Sequence, residues 1–341
     1  MKIRVGLIGF GYWGPYLYRN FNANPGFVVK TVADQHAQRR NIAKGLHLQL
    51  QVISDGEEIA KDPEIDLVVI ATPVATHYHL AKLALEHGKH VLVEKPFCSS
   101  VSQAEELLEL AKKMGVLIFL DHTYLFTTAV QMIQKICHSD ELGKISYYDS
   151  MRVNLGLFQP DVNVLWDLAP HDFSIVDYLF REEPLLINAT GYCHVNQNLP
   201  DIVYITMHFP SAMVAHFNLS WMSPVKVRRT FIGGSAKMLL WDDLESDQKI
   251  KIYNSGISFQ PEDDREVIIP SYRLGDVYSP RVENREALAS LVEHCRRVIT
   301  GKEESRVSGE NGLRVMRLLE RTQAVLDLHL AEVAALRSDA S

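Results

Sequence analysis

The sequence predicts an α/β protein of two domains: a doubly wound parallel sheet at the amino end, then an α+β domain built on a large, mostly antiparallel open sheet. Three observations predict it. From residue 2 to about 120, short apolar runs alternate with segments of helical spacing, the pattern of a parallel sheet with helices on both faces. From about residue 185 to 269, strand-like runs follow one another with turn residues and little helix between them, as in an antiparallel sheet. A chain of 341 residues also exceeds what one ordinary core holds.

The elements follow in order. Ile3–Ile8, Val28–Ala33, Leu67–Ala71, Val91–Val93 and Val116–Leu120 read as buried strands. Leu17–Phe21, Gln38–Leu46, His77–Glu86 and Ser102–Met114 carry helical spacing, the last opened by Ser102-x-x-Glu105 as a capping box. A helix over about Thr128–Ser139 leads through Lys144–Asn154 and irregular chain to a helix from about Pro170 to Phe180. Strands are then expected at Leu185–Cys193, Ile202–Phe209, Met213–Leu219, Lys226–Ile232, Lys237–Trp241, Lys249–Tyr253 and Val267–Ile269, punctuated by Pro210-Ser211 and Gly233-Gly234. Helices of roughly Arg281–Thr300 and Gly309–Leu336 close the chain. No internal repeat or low-complexity linker is visible, so a tight junction is expected near 121.

Composition excludes several classes. The chain is 47% hydrophobic and 23% charged, with a formal charge of −7 and no basic run, which argues against nucleic acid or an anionic membrane as partner. No apolar run reaches a membrane span, and the amino terminus enters a strand directly rather than a signal peptide. Four cysteines, Cys98, Cys137, Cys193 and Cys295, are far apart and form no CxxC. Neither a disulfide framework nor a zinc site is expected, and a reducing cytoplasm suits the chain.

The chemistry begins after the first strand. Gly9-Phe10-Gly11-Tyr12-Trp13-Gly14 is a G-x-G-x-x-G that follows a buried strand and opens a helix. Gly9 permits the tight turn, Gly11 lets backbone approach a pyrophosphate, and Gly14 allows close helix packing; the helix N-terminus offers N–H groups to phosphate. Asp34, twenty positions after Gly14, ends the second strand where a carboxylate grips the ribose hydroxyls of NAD. NAD is favoured over NADP, although Arg39 and Arg40 are near enough to tolerate a 2′-phosphate. The plainer reading makes Asp34 a cap or turn residue. On these features residues 1–121 are expected to form the dinucleotide-binding domain, which leaves 122–341 as the expected substrate-binding and oligomerisation domain.

In a doubly wound sheet, ligands lie beyond the carboxyl ends of the strands. Ala71-Thr72-Pro73 and Glu94-Lys95-Pro96 both end strands and belong on that rim. Lys95 there would face the cofactor, with Pro96 restricting its backbone; alternatively it is a strand-end lysine pointing at water. The second domain offers Asp167-x-x-x-His171, followed by an apolar stripe of Phe173, Val176, Leu179 and Phe180. With Pro170 in a first helical turn, Asp167 and His171 would share a face, and the helix terminus would keep His171 neutral and able to accept a proton. The alternative is that Asp167 and Asp172 merely cap the helix and His171 is a satisfied histidine.

Together Gly9 to Gly14, Asp34, Ala71-Thr72-Pro73 with His77, Glu94-Lys95-Pro96 and Asp167-x-x-x-His171 resemble the Gfo/Idh/MocA oxidoreductases, relatives of glucose–fructose oxidoreductase and inositol dehydrogenase. The resemblance spans most of the chain. It implies a Rossmann domain followed by an α/β domain with an open sheet, and oxidation or reduction of a carbinol with NAD(H) or NADP(H) and without metal. It further implies that Lys95 touches the nicotinamide ribose and the substrate hydroxyl, that His171 exchanges the alcohol proton, and that Asp167 orients substrate or tunes Lys95. The cofactor set it implies comprises the glycine loop, Asp34, Arg39, Ala71, Thr72, Pro73, His77, Glu94, Lys95 and Pro96. Arg152 and Asn154 are candidate substrate ligands beside Lys95, Asp167 and His171. The stretches Glu141–Ile145, Arg152–Gly156 and "VNVLWDLAPHDFSIVDYL" look most like members acting on nucleotide-linked sugars. A free monosaccharide or cyclitol is the alternative substrate, and a non-catalytic NAD(P)-binding sensor the alternative of another class. A homodimer or homotetramer through the C-terminal sheet is expected.

Other signals are set aside. His77-Tyr78-His79, with His87 and His90 nearby, has no spacing for a metal. Cys98 reads as a buried thiol rather than a nucleophile. No G-x-x-x-x-G-K-[ST] occurs.

Overall fold

The computed structural model describes residues 2–156, 158, 162–196, 198–261 and 268–339. The chain divides into two compact units, the first of Met1–Thr127 with Arg285–Glu320 and the second of Thr128–Asn284 with Arg321–Ser341.

The first unit runs β1 (Ile3–Ile8), α1 (Gly14–Ala23), β2 (Phe27–Ala33), α2 (Ala37–Lys44), β3 (Gln51–Ile53), α3 (Gly56–Lys61), β4 (Leu67–Ile70), α4 (His77–Glu86), β5 (His90–Val93), α5 (Val101–Met114) and β6 (Ile118–Leu120). The strands make one parallel sheet in the order β3-β2-β1-β4-β5-β6. The order reverses at β1, which places the glycine loop at the switch point, where such sheets bind ligands. All four residues of β4 and three of the four in β5 are buried, as befits parallel strands covered on both faces. The cap of α5 lies two residues before the expected box. Ser100 Oγ accepts the N–H of Gln103 at 3.2 Å, so Ser100 is the cap, and Gln103 Oε1 reaches back to accept the N–H of Ser99, one residue before it, at 3.1 Å. The helix closes on Gly115 in the left-handed conformation.

The second unit contains α6 (Thr128–Cys137), β7 (Ile145–Leu155), α7 (Val164–Phe180), β8 (Leu186–Tyr192), β9 (Ile202–His208), β10 (Val214–Ser220), β11 (Met222–Gly234), β12 (Met238–Asp242), β13 (Ile250–Tyr253), β14 (Gly256–Pro261), β15 (Ile268–Arg273) and β16 (Val277–Tyr278). Eight strands form one sheet in the order β16-β13-β12-β11-β7-β10-β9-β8, antiparallel except where β10 joins β7. The strand expected at Val267–Ile269 is β15, which pairs with β14 in a separate hairpin instead of joining this sheet; Val267 lies outside the described residues. One face packs on α7, with Phe173 edge-on to Phe217 at 5.3 Å. On the other, Tyr204, Asn218, Met151 and Arg229 stand in register across four strands, with Tyr204 and Met151 exposed.

α8 (Ala287–Ile299) returns to the first unit, and α9 (Gly309–Asp339) ends the chain. α8 packs on α1 and on the helical turn Thr123–Phe126, where Phe126 meets His294 at 5.1 Å. Beyond it, Phe119 bridges Ser308, and Leu120 N donates to Val307 O at 2.9 Å. A single boundary at 121 therefore leaves out a segment that packs with the first unit, because helix returns of this kind carry no local signal in the sequence.

Candidate active site

The glycine loop is built by close approach. Gly9 has φ of 97°, and a Cβ on it would stand 2.4 Å from the carbonyl oxygen of Ala71. A Cβ on Gly14 would stand 2.3 Å from the carbonyl oxygen of Gly9. Neither position accepts a side chain, so the loop folds tightly over the end of β4 and α1 starts directly beneath it. Pro15 occupies the first turn of α1, where its missing N–H costs nothing. Gly11 is open apart from Arg39 Nη1, 3.4 Å from where a Cβ would lie.

Asp34 ties this loop to β2. Its Oδ2 accepts the N–H of Phe10 at 2.7 Å and its Oδ1 the N–H of His36 at 2.8 Å, with Arg39 Nη1 3.6 Å from Oδ2. Burial raises its pKa, but the N–H groups of His36 and Phe10, the His36 ring and the Arg39 charge more than offset this and hold it below the ordinary value. The carboxylate is thus a turn residue that ties the glycine loop to the end of β2, with the His36 ring a further 3.2 Å neighbour of Oδ1.

A cavity of about 410 Å³ opens beside these groups, lined by Gly9, Asp34, Arg39, Ala71, Thr72 and Pro73 among others. Six expected cofactor residues are therefore gathered in one place. Ser54, Asp55 and Gly56 of the β3–α3 turn also line it, as do Thr76 and His79. Sequence reading missed Ser54, Asp55 and Gly56 because β3 and α3 have only three and six residues, too short for a period to show. The cavity, the glycine cradle and a carboxylate at the end of β2 fit a dinucleotide.

His77 is corrected from cofactor ligand to internal brace. It is 1% exposed, with Nδ1 3.0 Å from Pro96 O and Nε2 2.8 Å from Thr72 O. Burial lowers its pKa, and a neutral ring with one N–H donates to one of these carbonyls. It spans the loops after β4 and β5, the second of which carries Lys95. Lys95 is half-buried at the end of β5, its N–H bonded to Glu94 Oε2 at 3.2 Å, and the Lys95–Pro96 peptide is cis. Of the loop aromatics, Phe10 is buried, Tyr12 is 77% exposed, and Trp13 donates its indole N–H to Asp121 Oδ2 at 2.9 Å. Burial pushes the Cys98 thiol up to about 12, which makes it an inert core residue.

In the second unit Asp167 and His171 lie on one face of α7. The helix starts earlier than expected: Asn163 caps it, its Oδ1 accepting the N–H of Trp166 at 3.1 Å. Asp167 is in the first turn, whereas Pro170 is inside the helix and His171 lies two turns in. The field of the terminus has decayed before His171. Trp221, 1% exposed, donates its indole N–H to Asp167 Oδ2 at 3.2 Å and so orients that carboxylate. Asp172 is no cap. It is 1% exposed and receives Arg152 Nε at 2.7 Å, Arg152 Nη2 at 3.3 Å and Ser150 Oγ at 2.9 Å. Arg152 is thereby corrected from substrate ligand to buried ion-pair member, because its charge is committed to Asp172 below the sheet. Asn154 is half-buried on β7.

Among the described residues no helix is long and apolar enough to cross a membrane, and no three His, Cys, Asp or Glu side chains gather as a metal set.

Comparison with known proteins agrees with this geometry. Residues 3–122 match the model of an oxidoreductase family with an NAD-binding Rossmann fold, and residues 130–240 match the C-terminal domain of the same family. The uncharacterized oxidoreductase YdgJ of Escherichia coli is 35% identical over 183 residues, 50% of this chain and 51% of that protein; the chain thus spans about half the length of that relative. The UDP-N-acetylglucosamine 3-dehydrogenase of Acidithiobacillus ferrooxidans is 26% identical over 319 residues, 93% of this chain and 95% of that one. Its solved structure superposes with a TM-score of 0.81 at 23% identity, covering 97% of this chain and 99% of that one, which shows the shared fold. The NAD(+)-dependent scyllo-inositol 2-dehydrogenase of Bacillus subtilis is 27% identical over 197 residues, 56% of this chain and 57% of that one. With both halves matched and the glycine cradle, Asp34 and the rim of β4 gathered on one cavity, the chain belongs to the Gfo/Idh/MocA family of oxidoreductases and carries its NAD-binding Rossmann domain.

Proposed function

We propose that the protein is an NAD(P)-dependent dehydrogenase acting on a carbinol or keto carbon of a sugar, and that the sugar is nucleotide-linked. The observation that carries the chemistry is the Asp167/His171 pair on one face of α7, with Asp167 held by the indole of Trp221. When bound, the cofactor supplies a hydride acceptor or donor at nicotinamide C4. Removing hydride from a C–H requires that the hydroxyl lose its proton, and a bare alkoxide is out of reach near neutral pH. His171 takes that proton in oxidation and returns it in reduction. Lys95 offsets negative charge that develops on the oxygen. Asp167, fixed by Trp221, orients the substrate hydroxyls. The glycine loop and Asp34 hold pyrophosphate and ribose, with NAD favoured because an ionised carboxylate at the end of β2 repels a 2′-phosphate.

The near full-length match to a UDP-N-acetylglucosamine dehydrogenase supports a nucleotide-linked substrate. The match to an inositol dehydrogenase supports a free cyclitol or sugar as the second reading. A homo-oligomer contact falls on the open face of the eight-stranded sheet, where Tyr204 and Met151 are exposed in register.

The test is a turnover screen of NAD and NADP against nucleotide sugars, free sugars and inositols, repeated with Lys95→Ala and His171→Ala. Both variants are expected to keep NADH binding and to lose kcat by about 100-fold or more. Normal turnover by both would overturn the assignment, and activity confined to inositols would favour the second reading.

A further inference from the structure

Three parts of the first unit converge on Asp121. Parallel pairing of β6 with β5 sets Leu120 beside Val93, and Asp121 N donates to Val93 O at 2.9 Å. The side chain is 2% exposed. Its Oδ2 accepts the indole N–H of Trp13 from the glycine loop at 2.9 Å, and its Oδ1 accepts the hydroxyl of Thr123. The third neighbour is the carboxyl group of Glu94, the residue before Lys95.

Among the described residues no N–H or O–H reaches the buried Oε1 of Glu94. Two ionised carboxylates in contact there would repel each other with little water to screen them. One shared proton resolves this. Glu94 carries it and donates it to Asp121, which thereby receives three donors. Burial and the Asp121 charge both push the Glu94 carboxyl well above its ordinary pKa, with Lys95 opposing them, which agrees with this arrangement.

Trp13 is not free to settle elsewhere without consequence. Its ring lies nearly parallel to Tyr12 at 6.3 Å and tilted to Tyr16 at 5.3 Å. The bond to Asp121 therefore sets the aromatic surface of the loop whose backbone N–H groups would hold pyrophosphate.

We propose that Asp121 is a positioning residue of the NAD site: it fixes Trp13 in the glycine loop and Glu94 beside Lys95 without touching cofactor or substrate. The inference rests on the dinucleotide site described above.

The test uses the full chain with NADH as probe, titrated by fluorescence, with thermal melts of every variant. Asp121→Asn and Trp13→Phe are each expected to weaken NADH binding about tenfold, and the double variant to bind no more weakly than the weaker single, since both cut one link. Glu94→Ala is expected to weaken binding similarly, and Glu94→Gln, whose amide N–H can replace the shared proton, to recover most of that loss. If Asp121→Asn does not fold, the Glu94→Gln and Glu94→Ala comparison decides. Wild-type affinity in Asp121→Asn, multiplying effects of Asp121→Asn and Trp13→Phe, or equal losses in Glu94→Gln and Glu94→Ala would overturn the inference. A wild-type chain that does not bind NADH would instead overturn the cofactor reading beneath it.

Discussion

Glu94 shows how one carboxyl can be read correctly in place and wrongly in kind. Its position before Lys95 at the end of β5 follows from the sequence, but its carboxyl group is turned inward to Asp121. This has a consequence for stability. In the unfolded chain Glu94 ionises near the ordinary 4.5, whereas in the folded chain it holds its proton well above that value. Between those two values the unfolded state binds fewer protons, so the contribution of Glu94 to stability is full below the lower one and is lost as pH rises toward the higher. Glu94→Gln does not titrate. Its melting temperature relative to wild type is therefore expected to rise as the pH is raised above the ordinary carboxyl value, and a constant or narrowing difference in a melt series would refute this. Arg152 teaches a related lesson. An arginine on a strand near a supposed site reads equally well as a ligand or as half of a buried pair, and only its 2.7 Å bond to Asp172 separates the two.

Elements were legible where their period was long and unbroken. β1, β4 and α4 lie within a residue of their expected ends, because burial on both faces or along one stripe writes itself into the sequence. Terminal positions were less legible. α7 begins six residues before Pro170, since Asn163 supplies the cap and a proline inside a buried helix is tolerated when packing holds the helix. α5 is capped by Ser100 rather than Ser102, because two serines two apart offer the same local pattern and only the extended backbone at Ser100 meets the requirement of a cap. Ser100→Ala is expected to cost about 1 kcal/mol in chemical unfolding, and Ser102→Ala well under half of that. Equal effects would return the cap to Ser102.

For the whole molecule, the main departure from expectation is that the first unit is discontinuous. Residues 285–320 supply α8 and the start of α9, with Leu291, Val292, Cys295 and Val307 fully buried, and Val307 O accepts the N–H of Leu120 at the edge of the parallel sheet. A fragment ending at Thr127 exposes the surface α8 covers on α1 and on Thr123–Phe126. It is expected to lack a cooperative thermal transition and NADH binding. Joining 285–320 to it through a short flexible linker is expected to restore both. A fragment of residues 1–127 that melts cooperatively and binds NADH would refute the dependence.

The sequence by itself determined the parallel sheet, the glycine turn and the acid at the end of β2. These depend on steric rules that act within a few residues: glycine where a Cβ would meet the Ala71 or Gly9 carbonyl, and apolar runs where both faces are covered. It also placed Lys95 at a strand end and spaced Asp167 and His171 for one helical face. Only the tertiary structure decided that His77 braces two loops, that Arg152 is spent on Asp172, that Trp13 and Glu94 meet at Asp121, and that residues 285–320 complete the first unit. The physical reason is common to all four. Whether a polar side chain is a ligand or a structural partner depends on which donors and acceptors reach it in space, and those come from residues remote in the chain.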